Sequence, residues 1–365
     1  MKNNSEFSKA LMFWYDHSEK RILPWKSNKN PYQIWLSEII LQQTRVEQGT
    51  PYFLRFVERY PSITDLANAP DDDVMKLWQG LGYYARARNM LLTARQIRDE
   101  FDGVFPDSYD KIYQLKGIGD YTASAISSFA FDLPHAVLDG NVFRVLSRYF
   151  GIETPIDSSE GKRIFKALSH KHLDRNRPAD YNQAIMDFGA TICKPQLPFC
   201  LSCPLSDNCQ ARAKNIVSSL PQKTKKLKKR DRYFYYFVWK GPDAKTLVRK
   251  RADKDIWKGL YDFPLFETNE LLKELNLSNL WESDTWKSLV PNTPKGELSI
   301  KFSRTYIQLL THQKIIAIFV EISGKVPSLS TLENEYKIIS LSELKQLALP
   351  KTIQKYLETD LFPIG

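Results

Sequence analysis

The chain of 365 residues has only four cysteines, and all of them fall between Cys193 and Cys209. Cysteines gathered in one short loop exclude a disulfide framework spread over the fold and favour metal binding. There is no apolar run long enough to cross a bilayer, so no membrane-spanning helix is expected. The N-terminus, MKNNSEFSKALMFWYDHSEKR, is too polar and acidic for a signal or transit peptide, and a cytoplasmic protein is expected. Acidic residues are the minority: 42 Asp and Glu against 52 Lys and Arg leave a net charge of +10. An excess of that size suggests a polyanionic partner, nucleic acid before membrane, although diffuse solubilising lysine would give the same total. Strand patterns are missing from the first 230 residues, which read as all-α. The length exceeds one ordinary domain.

What is present is a series of helical patterns. They run over about 6–20, 31–48, 50–59, 71–79, 85–101, 108–114, 120–131, 141–150, 158–170 and 178–192. Residues 115–142 stand out among them. Leu115-Lys116-Gly117-Ile118-Gly119 is a glycine-bearing turn that opens a helix of small residues, with Leu115 and Ile118 set to pack inward. Such a turn turns free N–H groups outward at a positive helix end, where a phosphate can bind; a plain tight turn uses the same residues. The stretch ends in Val137-Leu138-Asp139-Gly140-Asn141-Val142, which sets a carboxylate just before the next helix. There Asp139 can serve as an N-cap, and the helix end should lower its pKa.

The 31–48 helix carries Glu38 among Ile34, Trp35 and Leu41, its neighbours one turn away. A carboxyl in that setting is desolvated and its pKa should rise; a narrow polar seam with Ser37 and Gln42 is the plainer alternative. One carboxyl raised and one lowered would separate an acid from an anion. Tyr83 and Tyr84, flanked by Gly82, Arg86 and Arg88, can be core residues or a tip that enters a base stack. The cysteines Cys193, Cys200, Cys203 and Cys209 are spaced C-x6-C-x2-C-x5-C. Zinc usually takes two C-x2-C pairs, and only one is present; a [4Fe–4S] cubane, with one thiolate per iron corner, matches better. Residues 215–230 are lysine-rich without apolar period and read as a linker whose charges can reach phosphates or simply stay solvated. Beyond it the pattern changes to strands in RYFYYFVWK, TLVRKR, ELSIKF and KIIAIFVEI, with short helices at about 268–275 and 341–357, a second domain of α/β or α+β type.

The segments RILPW, PYQIWLSEIILQQTRV, WQGLGYYARARN, LKGIGDYTASAI, VLDGNVFRV and NQAIMDFGATIC resemble the helix–hairpin–helix base-excision glycosylases, and the cysteine spacing is that of their iron–sulfur branch. Within that superfamily the chain resembles the MutY-type adenine DNA glycosylases, and IWKGLYDFP at 256–264 looks like the start of their Nudix-like C-terminal domain. The resemblance implies an all-α glycosylase region over 1–214, with a six-helix part at about 30–135 and an N-terminal helix plus 136–214 forming the cluster part. A basic linker at 215–230 and a Nudix-like α/β domain at 231–365 follow. It implies a monomer acting on duplex DNA that holds A:8-oxoguanine or A:G mispairs, with a [4Fe–4S] cluster on the four cysteines. Carried over position by position, Glu38 would protonate adenine and Asp139 would stabilise the sugar cation, with Asn141 and Tyr121 positioning Asp139 and water. Arg21, Trp25 and Leu41 would line the adenine pocket. Gln43 and Tyr83 would fill the gap in the duplex, Gly117 and Gly119 would hold phosphate, and Leu310, Thr311 and His312 would read the opposite base, unless that turn is only a polar hairpin. Tyr121 stands where bifunctional members have a lysine, which implies base removal without efficient strand cleavage. Lys116 and Lys26 depart from the usual Pro and Arg. The second domain lacks the R-E-x-x-E-E set of active Nudix enzymes and should bind rather than hydrolyse. The alternatives are an endonuclease III-like glycosylase/lyase acting on pyrimidine lesions and a non-catalytic DNA-binding protein.

Overall fold

The computed structural model describes the chain except residues 1–4, 27, 225–228, 242, 253–254, 273–279, 281, 291–297, 325, 328–334 and 363–365. Its contacts divide it into two units, one of residues 1–68 and 89–226 and one of residues 69–88 and 227–365.

The first unit is helical: α1 (Glu6–His17), α2 (Pro31–Leu41), α3 (Val46–Arg59), α4 (Ile63–Asn68), then, beyond α5 (Asp71–Leu77) of the second unit, α6 (Ala85–Glu100), α7 (Tyr109–Tyr113), α8 (Asp120–Phe131), α9 (Gly140–Phe150), α10 (Ser159–His172), α11 (Pro178–Thr191) and α12 (Gln210–Ala213). The α6 helix begins in the second unit and continues into the first. The expected 31–48 helix is interrupted. It ends at Leu41, Gln43 takes the left-handed conformation (φ 55°), and α3 begins at Val46. Gln43 is exposed at this corner, so the break turns a side chain out of the helix line. The short α4 and α12 lacked enough turns to show an apolar period and were not anticipated.

Small residues make the centre of this unit possible. Ala123, Ser124, Ala125, Ser127 and Ser128 of α8 are buried, so α2 and α11 approach closely. Asn182 of α11 is fully buried: its carbonyl oxygen accepts from Val137 N–H (3.1 Å) and its amide donates to Ser128 Oγ (2.7 Å) and His135 O (2.8 Å). Those bonds hold the 135–139 segment that carries Asp139. The turn at 115–119 has the expected build. Leu115 and Ile118 are buried and Gly117 and Gly119 exposed. Gly117 is left-handed (φ +75°) and lies so close to Asn89 that an added Cβ would stand 2.7 Å from its Cβ.

The second unit contains β1 (Arg230–Trp239), β2 (Lys245–Lys250), β3 (Tyr261–Asp262), β4 (Leu265–Thr268), β5 (Ser299–Phe302), β6 (Tyr306–Leu309), β7 (Gln313–Ser323) and β8 (Lys337–Ser340). One sheet runs β4-β1-β7-β5 with β6 also on β7, and the other runs β3-β2-β8. β1 and β7 are parallel, with Tyr233 opposite Ile316. Residues 234–239 are buried without alternation, as in a strand covered on both faces. Besides α5, the unit's described helices include α13 (Asp284–Leu289), α14 (Leu341–Leu344) and α15 (Lys351–Tyr356). The expected 341–357 helix is two pieces: α14 stops at Leu344, residues 345–350 are not helical, and Pro350, which lacks an N–H, stands as the N-cap where α15 begins. Of the expected 268–275 helix, Thr268 ends β4 and residues 273–275 lie outside the described residues.

Candidate active site

The candidate active site lies within the first unit. A cavity of about 510 Å³ is lined by Arg21, Trp25, Glu38, Leu41, Tyr121 and Asp139, among others, so the residues expected for acid, anion and base pocket meet in one place. Glu38 is 8% exposed on α2 and accepts a hydrogen bond from Tyr121 Oη (2.7 Å). Burial, reinforced by the negative charge of Asp139, pushes its carboxyl up to about 7, while the Tyr121 bond opposes the rise. Tyr121 thus bonds to Glu38 while the charge of Asp139 also bears on its phenol.

Asp139 caps α9. Its Oδ1 accepts from Val142 N–H (2.8 Å) and its Oδ2 from the Asn141 amide (2.8 Å). The helix end was expected to lower its pKa. Instead burial dominates and raises it, with Val142, Asn141 and Arg144 pulling the other way. The donor count still separates the pair: Asp139 has the N-cap and amide bonds and a nearby guanidinium, Glu38 has one tyrosine. The negative charge is better supported on Asp139 and the proton on Glu38. Asn141 is itself held by Arg144, whose Nη2 donates to Asn141 Oδ1 (2.8 Å) and whose Nε donates to Cys193 O (2.8 Å).

The four cysteines lie on the segment after α11, each partly exposed. Burial first, and then the charges of the other three, push the Cys203 thiol up to about 11. Arg148 Nη1 donates to Cys193 Sγ (3.5 Å) and to Lys194 O (2.7 Å). Among the described residues no group of three or more His, Cys, Asp or Glu side chains is arranged to hold a metal ion. That does not disqualify a cubane, whose iron corners set the thiolates farther apart than one ion does. Four sulfurs with an arginine beside them are a donor set that fits an iron–sulfur group.

In the second unit, Tyr83 Oη and Thr311 Oγ1 are hydrogen-bonded. Both border a cavity of about 430 Å³, together with Leu310, His312 and Trp257. Thr311 and His312 are the exposed tip between β6 and β7, closed by Leu310 N–H to Gln313 O (2.8 Å). Phe302 ends β5, and Ser303 after it donates its N–H to Phe319 O (2.9 Å) and accepts from Phe319 N–H at its Oγ (2.9 Å). Arg232 ties Asp255 to Glu267 and Gln313, which steadies the wall of this cavity.

Residues 36–170 match the HhH-GPD superfamily of base excision DNA repair proteins, and residues 235–359 match the NUDIX domain. The adenine DNA glycosylase of Buchnera aphidicola subsp. Acyrthosiphon pisum is 33% identical over 96% of this chain and 97% of its own. That of Rattus norvegicus is 30% identical over 96% and 77%. The chain belongs to the adenine DNA glycosylase family. Among solved structures, a thermostable thymine-DNA glycosylase shares the fold of 57% of the chain, with 27% identity, a TM-score of 0.53 and 95% of its own length covered. An endonuclease III in complex with DNA, 23% identical with a TM-score of 0.50, shares the fold over 57% of this chain and 95% of its own. The family's two parts, a helix–hairpin–helix glycosylase fold and a Nudix-like domain, are both present.

Two polar groups of this adenine DNA glycosylase family member were not singled out from the sequence: Asp187, a lone acid in the apolar NQAIMDFG run, and Asn182, both buried on α11. The signal was there, since buried Asp and Asn need partners, but periodicity does not say which partners.

A pH dependence follows from the site. If the neutral form of Glu38 is the working form, base release is full below about 7 and falls as pH rises through that value. Tyr121→Phe removes the bond that lowers the Glu38 pKa, so the alkaline limb should move to higher pH. Single-turnover rates between pH 5.5 and 9 check both the limb and the direction of its shift; a limb moving down in Tyr121→Phe would contradict this assignment.

Proposed function

We propose that this protein is a monofunctional adenine DNA glycosylase that removes adenine opposite 8-oxoguanine, or opposite guanine, and that it acts as a monomer on duplex DNA. The observation that carries the reading is the single cavity in which a buried, proton-holding Glu38 and the N-cap Asp139 meet Arg21, Trp25 and Leu41. Adenine must leave the base stack to reach that cavity. Glu38 then gives its proton to N7, the C1′–N9 bond breaks with its electron pair going to the base, and the sugar becomes cationic. Asp139 opposes that charge as an anion, or bonds to C1′ for a moment and leaves again as the carboxylate; water then supplies the hydroxyl that ends on C1′, and its other proton restores the neutral Glu38 carboxyl. Asn141 fixes the Asp139 carboxylate. No lysine amine is available at position 121 to trap the sugar, which favours base removal over strand cleavage and so speaks against the endonuclease III-like reading.

The exposed hairpin turn at Gly117–Gly119 suits a phosphate, and Gln43 and Tyr83, both exposed and both left-handed at the backbone, suit insertion where adenine has left. Cys193, Cys200, Cys203 and Cys209 would hold a [4Fe–4S] cluster. Bound, it would supply a structural cross-link rather than redox chemistry, since hydrolysis changes no oxidation state.

Recognition of the opposite base is assigned to Leu310-Thr311-His312. 8-oxoguanine adds an N7–H donor and a C8 oxygen to guanine; the Thr311 hydroxyl and His312 ring nitrogens can pair with these, and Leu310 can press on the stack. Thr311→Ala/His312→Ala should keep adenine excision and lose preference for 8-oxoguanine over guanine by about 1–3 kcal/mol per specific contact, or roughly ten- to a hundredfold. Competition binding between the two duplexes measures it, and an unchanged ratio would remove this turn from the mechanism. The reading as a whole is tested by direct detection of free adenine from an A:8-oxoguanine duplex.

A further inference from the structure

The pocket wall has a charge problem that the two carboxylates do not solve. Arg21 and Lys26 both border the cavity. The reaction proposed above makes adenine and then the sugar cationic, and two bare cations beside them would oppose it. Between these cations lies Asp187 of α11, 5% exposed. Both of its carboxylate oxygens are used: Oδ1 accepts from Arg21 Nη1 (3.3 Å) and Oδ2 from Lys26 Nζ (2.8 Å). The Arg21 and Lys26 side chains are 32% and 20% exposed, so solvent screens them only in part. Burial depresses the Lys26 ammonium and Arg21 repels it; Asp187 is the group that supports its charge.

We propose that Asp187 is a positioning residue for base release, holding Arg21 and Lys26 against the pocket wall and cancelling one of their two charges where the departing base and sugar turn positive. The inference rests on the adenine-excision reading. The other titratable groups around Asp187 are the neutral phenol of Tyr15, with Asp16 and Lys20, on the N-terminal side, and Arg177 and Asp180 at the start of α11. Arg177 is engaged by Asp16 and Asp180, and Lys29, also on the cavity wall, by Asp132. Tyr121 and Asp139 face Glu38 from α8 and the segment before α9. Asp187 is therefore the carboxylate that answers Arg21 and Lys26 at the wall.

Asp187→Asn raises the wall charge by one. A wall more positive by one charge disfavours the neutral acid, so the Glu38 proton is lost at lower pH and the alkaline limb moves down. We expect single-turnover adenine release to fall roughly ten- to a hundredfold, while affinity for a duplex with an uncleavable 2′-fluorinated adenosine stays within about threefold. Lys26→Met/Asp187→Asn restores the original wall charge and should recover part of the loss. Lys26→Met alone should move the limb up, which keeps the test open even where Asp187→Asn does not fold. A residue that merely braced the fold would give a double variant no better than the single and a limb that stays in place. Release at the parent rate, or slow release with an unmoved limb and no recovery in the double variant, overturns the proposal. Failure of the unsubstituted protein to release adenine would overturn the function reading instead.

Discussion

Glu38→Gln should bind an A:8-oxoguanine duplex as the parent protein does and release adenine about 10²- to 10⁴-fold more slowly, the range a positioned general acid supplies. In barrier terms that is roughly 3–5 kcal/mol. The amide keeps the shape and can still accept from Tyr121, but it has no acidic proton to give. Asp139→Asn should fall by a comparable factor for a different reason. The asparagine can still cap α9 through its side-chain oxygen, so the fold survives, but the negative charge that faces the sugar is gone. Rapid-quench release assays together with duplex binding separate the two losses from loss of affinity. Wild-type rates in Glu38→Gln would remove the acid assignment, and loss of binding in both variants would point to a damaged pocket.

The second large effect concerns the cysteine segment. The purified protein should be brown, with iron and visible charge-transfer absorption. Cys200→Ser should lose that colour, and closing the 193–209 loop contributes about 2–4 kcal/mol by chain entropy, so the melting temperature should drop by about 5–15 °C. The segment is tied to the rest of the unit by Arg148, which donates to Cys193 Sγ and Lys194 O, and through Arg144 to Asn141 beside Asp139. Loosening it should therefore weaken base release as well as stability. Metal analysis that finds zinc and no iron would contradict the cluster assignment.

Local patterns make much of this site legible in the sequence. Glu38 among Ile34, Trp35 and Leu41 forecast a raised carboxyl because helix neighbours one turn away are set by geometry alone. Asp139 before α9 forecast an N-cap for the same reason. The direction of its pKa did not follow, because the burial of position 139 depends on α8, α9 and α11 closing around it and not on the local helix end. Similarly, the break at Gln42–Arg45 was hidden: no glycine or proline marks it, and Gln, Thr and Arg there are compatible with a helix that continues on a polar face. Tyr121, given a supporting role toward Asp139 by resemblance, feels the Asp139 charge and also hydrogen-bonds Glu38, a contact between α8 and α2 that sequence distance cannot supply. In the strand region, β1 and β7 announced themselves by continuous apolar runs, while β3 and β4 are too short to carry a pattern. The pairing of Tyr83 with Thr311, far apart in sequence and both assigned to DNA, needed the three-dimensional structure.

The central claim is base removal without strand cleavage. Its most direct test is one single-turnover reaction of the iron-replete protein with a duplex carrying adenine opposite 8-oxoguanine, analysed for free adenine and for strand breaks before and after alkali. The account predicts free adenine, and breaks that arise only after alkali, since Tyr121 offers no amine to the sugar. No free adenine, or stoichiometric breaks before alkali, would contradict it.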